Sequence, residues 1–330
     1  MGKRNLGKSG LAVNPVGLGC MGLTHAYGAP MEEKKAVEVL HQALDMGYDF
    51  FDTAEAYTGV REDGSTAWNE EVVGKALAPV REKVVIATKM GIAIDANREL
   101  VTDSRPETIR KSLEGSLKRL GTDYVDLYYQ HRIDPKVEPE VVAETMGELI
   151  REGKIRAWGI SEANEEYLRR AHAVCPVTAI QNRYSMMARW HESLFPVCEE
   201  LGVSFVAFSP MANGFLTGKY APGTKFTDAG DYRAQMPQFT QDGQERDRNL
   251  LQELRQLAEA KGATMGQLSL AWMLCKKPYI IPIPGSRKPE RLQENLGAAQ
   301  VQLTQEEICR MDQALDGMEL EVFGGHTVKK

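Results

Sequence analysis

Val84-Val85-Ile86-Ala87-Thr88-Lys89, then Ser104-Arg105-Pro106-Glu107 running on to Leu120-Gly121, then Val125-Asp126-Leu127-Tyr128-Tyr129-Gln130-His131: these three pieces read as strand, helix and strand. The outer two are short apolar runs of strand-forming residues. Between them, Ser104 and Glu107 have capping-box spacing, Pro106 suits a first helical turn, and Gly121 ends the helix after Lys118 and Arg119. Two strands joined through a helix pair in parallel, because parallel neighbours need a crossover.

The same unit recurs in both directions from here. Further strand-like runs lie at 16–18, 48–52, 157–160, 178–181, 204–208 and 279–282, which with 84–88 and 125–129 make eight. Pro30 opens a helix over 31–46 and Gly47 closes it; others are expected at 138–151, 165–173, 193–200 and 265–274. Thr264 caps the last of these, Pro289 begins another, and Thr304 with Glu307 caps a terminal one. Val37, Leu40 and Leu44 lie at helical spacing and are expected to be buried. Eight parallel strand–helix units close into an α/β (β/α)8 TIM barrel. The expected organisation is one domain over residues 1–330, with a β-hairpin around Leu6–Leu11 and a long loop after strand 7, residues 211–246.

Composition is that of a globular chain: 42% hydrophobic and 26% charged, with a formal charge of −6. That mild negative balance argues against nucleic acid or an anionic membrane as partner. No apolar run reaches the roughly 20 residues that span a bilayer, and no secretory signal follows the basic N-terminus. Cys20, Cys175, Cys198, Cys275 and Cys309 are scattered without a C-x-x-C, so they are expected to be buried reduced thiols in a cytoplasmic protein. The histidines at 25, 41, 172, 191 and 326 lack metal spacing, and no metal site is expected.

Gly17-Leu18-Gly19-Cys20-Met21-Gly22 matches the G-x-G-x-x-G fingerprint of doubly wound folds. That fingerprint must open a helix at once, whereas here the helix waits until after Pro30. The glycines therefore belong to a strand end and a barrel-mouth loop.

In such barrels reactive groups sit where strands end. Asp52 ends one run, Lys89 another and His131 a third, and Tyr57 follows Asp52 by five residues. Singly, each has a bland reading as an edge charge, a packing ring or a structural histidine. Together they suit carbonyl reduction. A tyrosine gives up its proton near pH 10, and a neighbouring Lys89 ammonium would favour the phenolate and lower that value. Asp52 would keep the lysine charged, and His131 would hydrogen-bond the substrate oxygen.

Phe51-Asp52-Thr53-Ala54-Glu55-Ala56-Tyr57, Ala87-Thr88-Lys89 and Tyr128-Tyr129-Gln130-His131 resemble the catalytic tetrad blocks of the aldo-keto reductase superfamily. The resemblance extends over nearly the whole chain. It implies an NADPH-dependent oxidoreductase that reduces an aldehyde or ketone, a small-molecule carbonyl, with Tyr57 as general acid, Lys89 and Asp52 tuning it, and His131 orienting the carbonyl. It also implies the cofactor contacts. Cys20, Met21 and Asp52 would be among them, and Ser161, Glu162 and Gln181 would contact the nicotinamide amide; Glu162 stands where many members carry Asn. Phe208 would stack on the ring, followed by Ser209 and Pro210. Met211, Ala212, Asn213 and Lys219 would cover the pyrophosphate, with Asn213 where many relatives carry Arg. Gly285, Ser286, Arg287, Arg291, Glu294 and Asn295 would grip the adenosine, and the basic charge there favours NADP over NAD. Some relatives instead serve as redox-sensing regulatory subunits of potassium channels, so a cofactor-binding module is the alternative. Substrate specificity falls to residues 211–246, the loop after His131 and the tail 318–330, none of which carries a readable code. Ser185-Met186-Met187 and Trp190 suit either a pocket lining or the core.

Overall fold

The computed structural model describes residues 1–95, 99–221 and 223–323. Its centre is an eight-stranded parallel sheet: β1 Leu18–Gly19, β2 Phe50–Asp52, β3 Val85–Met90, β4 Val125–Gln130, β5 Ile155–Ser161, β6 Ala179–Arg183, β7 Ser204–Phe208 and β8 Ile280–Pro282. The strands lie side by side in chain order. The sheet closes where Gly17 N–H donates to Pro282 O at 3.0 Å and Gly19 N–H to Pro284 O at 3.4 Å. A Cβ on Gly19 would come within 2.7 Å of Ile283 O, and one on Gly17 within 2.6 Å of Phe50 Cδ1. These glycines let the first strand meet the last. That is why the apparent nucleotide fingerprint opens no long helix; only a short 3-10 turn, Met21–Leu23, follows it.

Strand alternation divides the apolar residues into two layers. One set faces the barrel interior: Phe50, Val85, Ala87, Leu127, Tyr129, Ala157, Ala179, Val206 and Ile281. Leu6, Leu11 and Val13 join it from the N-terminal hairpin, whose strands Arg4–Asn5 and Ala12–Val13 pair antiparallel. The other set, including Phe51, Ile86, Tyr128, Trp158, Ile180 and Phe205, packs outward against the helices.

Those helices are α1 Glu33–Met46, α2 Asn69–Leu77, α3 Pro106–Leu120, α4 Pro139–Arg151, α5 Glu165–Val174, α6 Phe195–Leu201, α7 Gln241–Arg246, α8 Arg248–Ala260, α9 Met265–Lys276, α10 Pro289–Gly297 and α11 Gln305–Asp316. Gly47 and Gly121 close α1 and α3 in the left-handed conformation, with φ of 105° and 64°. Thr264 and Thr304 make complete capping boxes with Gln267 and Glu307.

Some expectations are corrected. Ser104 does not cap α3: the N-cap is Arg105, while the buried Ser104 Oγ accepts from Gln130 Nε2 at 2.9 Å and its N–H donates to Asp134 at 2.9 Å. Two long-range partners outcompete the local one. The buried face of α1 is Ala36, Val39, Leu40 and Ala43, so Val37 and Leu44 lie on its margin. The segment 211–246 is less irregular than expected, containing 3-10 turns at Ala212–Thr217, Tyr232–Gln235 and Pro237–Phe239 before α7. Helix α2 and the antiparallel pairs Thr58–Val60 with Thr66–Trp68 and Ile92–Ile94 with Leu100–Thr102 were not anticipated. The five cysteines are free, but only Cys20 and Cys198 are buried; Cys175 and Cys275 are half-buried and Cys309 is exposed. His326 and residues 324–330 of the tail lie outside the described residues. No helix among the described residues is long and apolar enough to cross a membrane.

Candidate active site

The alternation that buries Phe50, Val85, Ala87, Leu127, Tyr129, Ala157 and Ala179 inside the barrel continues to the strand ends. Two residues further along, the same phase gives Asp52, Lys89, His131 and Gln181, and four beyond Ala157 it gives Ser161. The polar groups therefore form the top interior layer, immediately above apolar ones. Neighbouring strands are in register for this: Asp52 pairs with Ala87, Tyr129 with Lys89, and Ser161 with Gln181.

Lys89 is fully buried. Its Nζ donates to Asp52 Oδ1 at 2.5 Å, Thr53 O at 2.7 Å and Tyr57 Oη at 3.1 Å. The second Asp52 oxygen accepts from Gln181 Nε2 at 2.7 Å. Tyr57 reaches this point because the turn after β2 is tied down on several sides. Thr53 N–H donates to Ala87 O at 2.8 Å and Glu55 N–H to Lys89 O at 3.2 Å. Asn69, buried at the start of α2, accepts from Thr53 Oγ1 at 2.6 Å and donates to Cys20 O and Thr24 Oγ1 at 2.9 and 2.8 Å. One amide thus fastens the loops after β1 and β2 together. His131 stands edge-on to Tyr57 with ring centroids 5.7 Å apart, and His25 stacks on Tyr57 at 6.1 Å.

The electrostatics follow from burial. Burial works against the Lys89 charge, but Asp52 and Tyr57 outweigh it and hold the ammonium above its ordinary value. Burial lifts the Tyr57 phenol above its ordinary value of 10.0, against the downward pull of Lys89. The expected net lowering is therefore reversed, because removing the phenolate from water costs more than one ammonium returns. Burial also pushes His131 well below 6.5, helped by the charges of Lys89 and Arg132, so its imidazole is neutral at pH 7.

The other expected residues ring the same mouth. Ser161 Oγ accepts from Arg132 Nη1 at 3.1 Å. Glu162 has a left-handed φ of 54°, a conformation Asn tolerates more readily, and its Oε1 accepts from Arg183 N–H at 2.9 Å. Gln181 faces Asp52, and Phe208 lies at the end of β7 beneath the Arg183 guanidinium, 4.9 Å from its ring centroid. Ser209, Ala212, Asn213 and Gly214 all have positive φ, which folds the chain tightly over Pro210 and Met211. Asn213 Nδ2 donates to Tyr27 and Tyr232 hydroxyls at 3.0 and 3.2 Å. With Tyr232 N–H donating to Ala26 O at 3.2 Å, the loops after β1 and β7 meet.

Beyond β8, Gly285 lies so near Gly19 that a Cβ would meet its carbonyl at 2.6 Å. Arg287 Nε donates to Gly22 O at 2.5 Å, next to Cys20 and Met21, while its Nη2 is buried with no hydrogen-bond partner among the described residues. Ser286 Oγ accepts from Lys288 N–H at 3.0 Å. Arg291 pairs with Glu294, and Asn295 is buried. Lys219 is lowered by burial and by the charges of Lys288, Arg291 and Arg233. Sequence reading missed Asn69, Arg132 and Arg183. The last follows Gln181 in strand phase, so its inward direction was legible from period 2 alone.

The sequence model of the aldo/keto reductase family matches residues 15–316. A probable aldo-keto reductase 1 of Glycine max is 39% identical over 312 residues, 94% of this chain and 88% of that protein. The glycerol dehydrogenase of Gluconobacter oxydans superposes with a TM-score of 0.83 at 30% identity, covering 95% of this chain and 94% of that one. An aldo-keto reductase from Klebsiella pneumoniae, solved in complex with NADPH, gives 0.72 at 25% identity, covering 96% and 95%.

Proposed function

Given that this chain belongs to the aldo/keto reductase family, a family of oxidoreductases, we propose that it reduces an aldehyde or ketone to an alcohol with NADPH, Tyr57 supplying the proton. The contact that carries this reading is Lys89 Nζ, buried between Asp52 at 2.5 Å and the Tyr57 hydroxyl at 3.1 Å. The reading takes residues 1–330 as one catalytic domain.

The residues at the mouth fit the cofactor. The crowded cations Lys219, Lys288 and Arg291 and the orphaned Arg287 Nη2 suit phosphate groups, including an extra 2′-phosphate. The glycine approach at Gly19 and Gly285 leaves backbone exposed beside them. Cys20, Met21, Ser161, Glu162, Gln181, Phe208 and the segment from Ser209 to Asn213 would hold the nicotinamide half, and Ser286, Glu294 and Asn295 the adenosine half. When bound, NADPH supplies the hydride.

The protein's own groups handle the carbonyl oxygen. A neutral His131 hydrogen-bonds it without competing for the proton. Tyr57, its phenol held above 10.0, keeps its proton at neutral pH and yields it only to a stronger base, which a developing alkoxide is. Lys89 then stabilises the phenolate left behind. Asp52, oriented by Gln181, keeps the ammonium aimed at Tyr57.

The test is steady-state NADPH oxidation, against matched NADH, over small aldehydes, ketones, dicarbonyls and sugars, for the wild type and Tyr57→Phe. Turnover that prefers NADPH and disappears in Tyr57→Phe, with NADPH affinity retained, is expected. Retained turnover in the variant would remove Tyr57 from its role. NADPH binding without turnover on any carbonyl would replace the reductase by a cofactor-binding regulatory module.

A further inference from the structure

Two arginines stand at the mouth outside the tetrad. Arg132 follows His131, and its Nη1 donates to His131 O at 2.6 Å and Ser161 Oγ at 3.1 Å. Arg183 ends β6, with its guanidinium 4.9 Å from the Phe208 ring centroid and 5.9 Å from that of Phe323. Arg132 lies 6.0 Å from the centroid of the same Phe208 ring, so both cations approach one aromatic side chain. Arg183 Nη1 is buried with no hydrogen-bond partner among the described residues. The neighbouring carboxylate, Glu162, offsets part of the Arg183 charge from a distance but bonds its backbone and not its guanidinium: one oxygen accepts the Arg183 N–H at 2.9 Å and the other lies 3.9 Å from His191 Nε2.

A mostly buried guanidinium whose side chain has no paired carboxylate among the described residues is costly, and a second cation beside it adds to the cost. Burial indeed lowers Arg183 from its ordinary value. A single anion between the two would relieve both. The phosphates of a dinucleotide already have a separate basic cluster in Lys219, Arg287, Lys288 and Arg291. Arg132, in contrast, follows His131 in the chain and its guanidinium bonds His131 O and Ser161 Oγ, so an anion beside it lies close to the histidine that would orient the carbonyl.

We propose that Arg132 and Arg183 bind a carboxylate carried by the substrate itself, which makes the preferred substrate class the oxo acids: aldehydes or ketones with a carboxylate a few bonds from the carbonyl. This rests on the reductase reading above. A guanidinium makes paired hydrogen bonds to a carboxylate that it cannot make to an amide of the same shape.

The experiment compares kcat/KM for 2- and 4-carboxybenzaldehyde with the corresponding formylbenzamides, in the wild type, Arg183→Gln and Arg183→Lys, with NADPH affinity measured in each. A preference for the acids on the order of tenfold to a hundredfold is expected in the wild type. It should vanish in Arg183→Gln and survive in part in Arg183→Lys, with kcat/KM for the acids falling much further than that for the amides and NADPH affinity retained. Equal use of acid and amide by the wild type would overturn the proposal. So would loss of NADPH affinity in Arg183→Gln with both aldehydes declining together, since the anion would then be the cofactor's phosphate. Calorimetric titration of benzoate against benzamide into the protein–NADP complex separates this idea from the reductase reading. Benzoate binding that Arg183→Gln abolishes supports the carboxylate site even if no aldehyde is reduced, and equal binding of the two ligands removes it even if aldehydes are.

Discussion

Replacing Lys89 by Met keeps most of the side-chain volume and deletes the charge that links Asp52 to Tyr57. An ammonium 3.1 Å from a phenolate oxygen is worth about 5 kcal/mol at an effective dielectric of about 20. Solvent reorganisation around the variant site recovers part of this, so kcat for carbonyl reduction should fall on the order of a thousandfold. Stability should fall too. Asp52 would remain buried with only the Gln181 amide, and breaking a buried pair from one side costs about 3–5 kcal/mol. Urea denaturation measures the second effect and single-turnover NADPH oxidation the first, with NADPH affinity as the control for an intact barrel. The double variant Asp52→Asn/Lys89→Met leaves no unpaired charge and should be more stable than the sum of the two single losses predicts, by about 1–3 kcal/mol. A kcat within tenfold of wild type, or strict additivity of the two stability losses, would refute the reasoning, because either means that Lys89 does not couple Asp52 to Tyr57.

Three further outcomes are expected. Reduction requires the protonated phenol, which is present below the Tyr57 pKa and lost as pH rises through it; that pKa lies above 10.0 and His131 titrates well below 6.5, so kcat/KM should be flat between the two. An inflection near pH 7 in a pH–rate profile would contradict it. Gly19→Ala places a methyl within 2.7 Å of the Ile283 carbonyl at the seam of the barrel, and should lower unfolding stability by about 1–3 kcal/mol in urea titrations. Arg291→Ala should raise KM for NADPH about tenfold while leaving KM for NADH nearly unchanged, since only the former carries the extra phosphate; equal effects on both would place Arg291 outside cofactor recognition.

Much of this protein was decided by its sequence alone, because the signals are local. Short apolar runs of strand-forming residues and the glycines at 47 and 121 specify strands and helix ends from neighbours along the chain. Eight such units in series allow few arrangements other than a closed parallel barrel. Alternation along those strands placed Asp52, Lys89 and His131 on the interior face, one layer above Phe50, Ala87 and Tyr129.

What only the tertiary structure decided depends on groups distant in sequence. Ser104 has the spacing of a cap, yet Gln130 and Asp134 claim it instead, and no local pattern could show that. Asn69 carries no motif and still ties two loops together beneath Tyr57. The net direction of the Tyr57 shift was misread because a neighbouring charge is legible in sequence and the extent of burial is not. Arg183 points inward by strand phase, but its surroundings are set only by the fold, which brings Phe208, Phe323 and Arg132 around it and ties Glu162 to its backbone N–H. Desolvation is a property of the assembled interior, and it decides which of these charges require a partner.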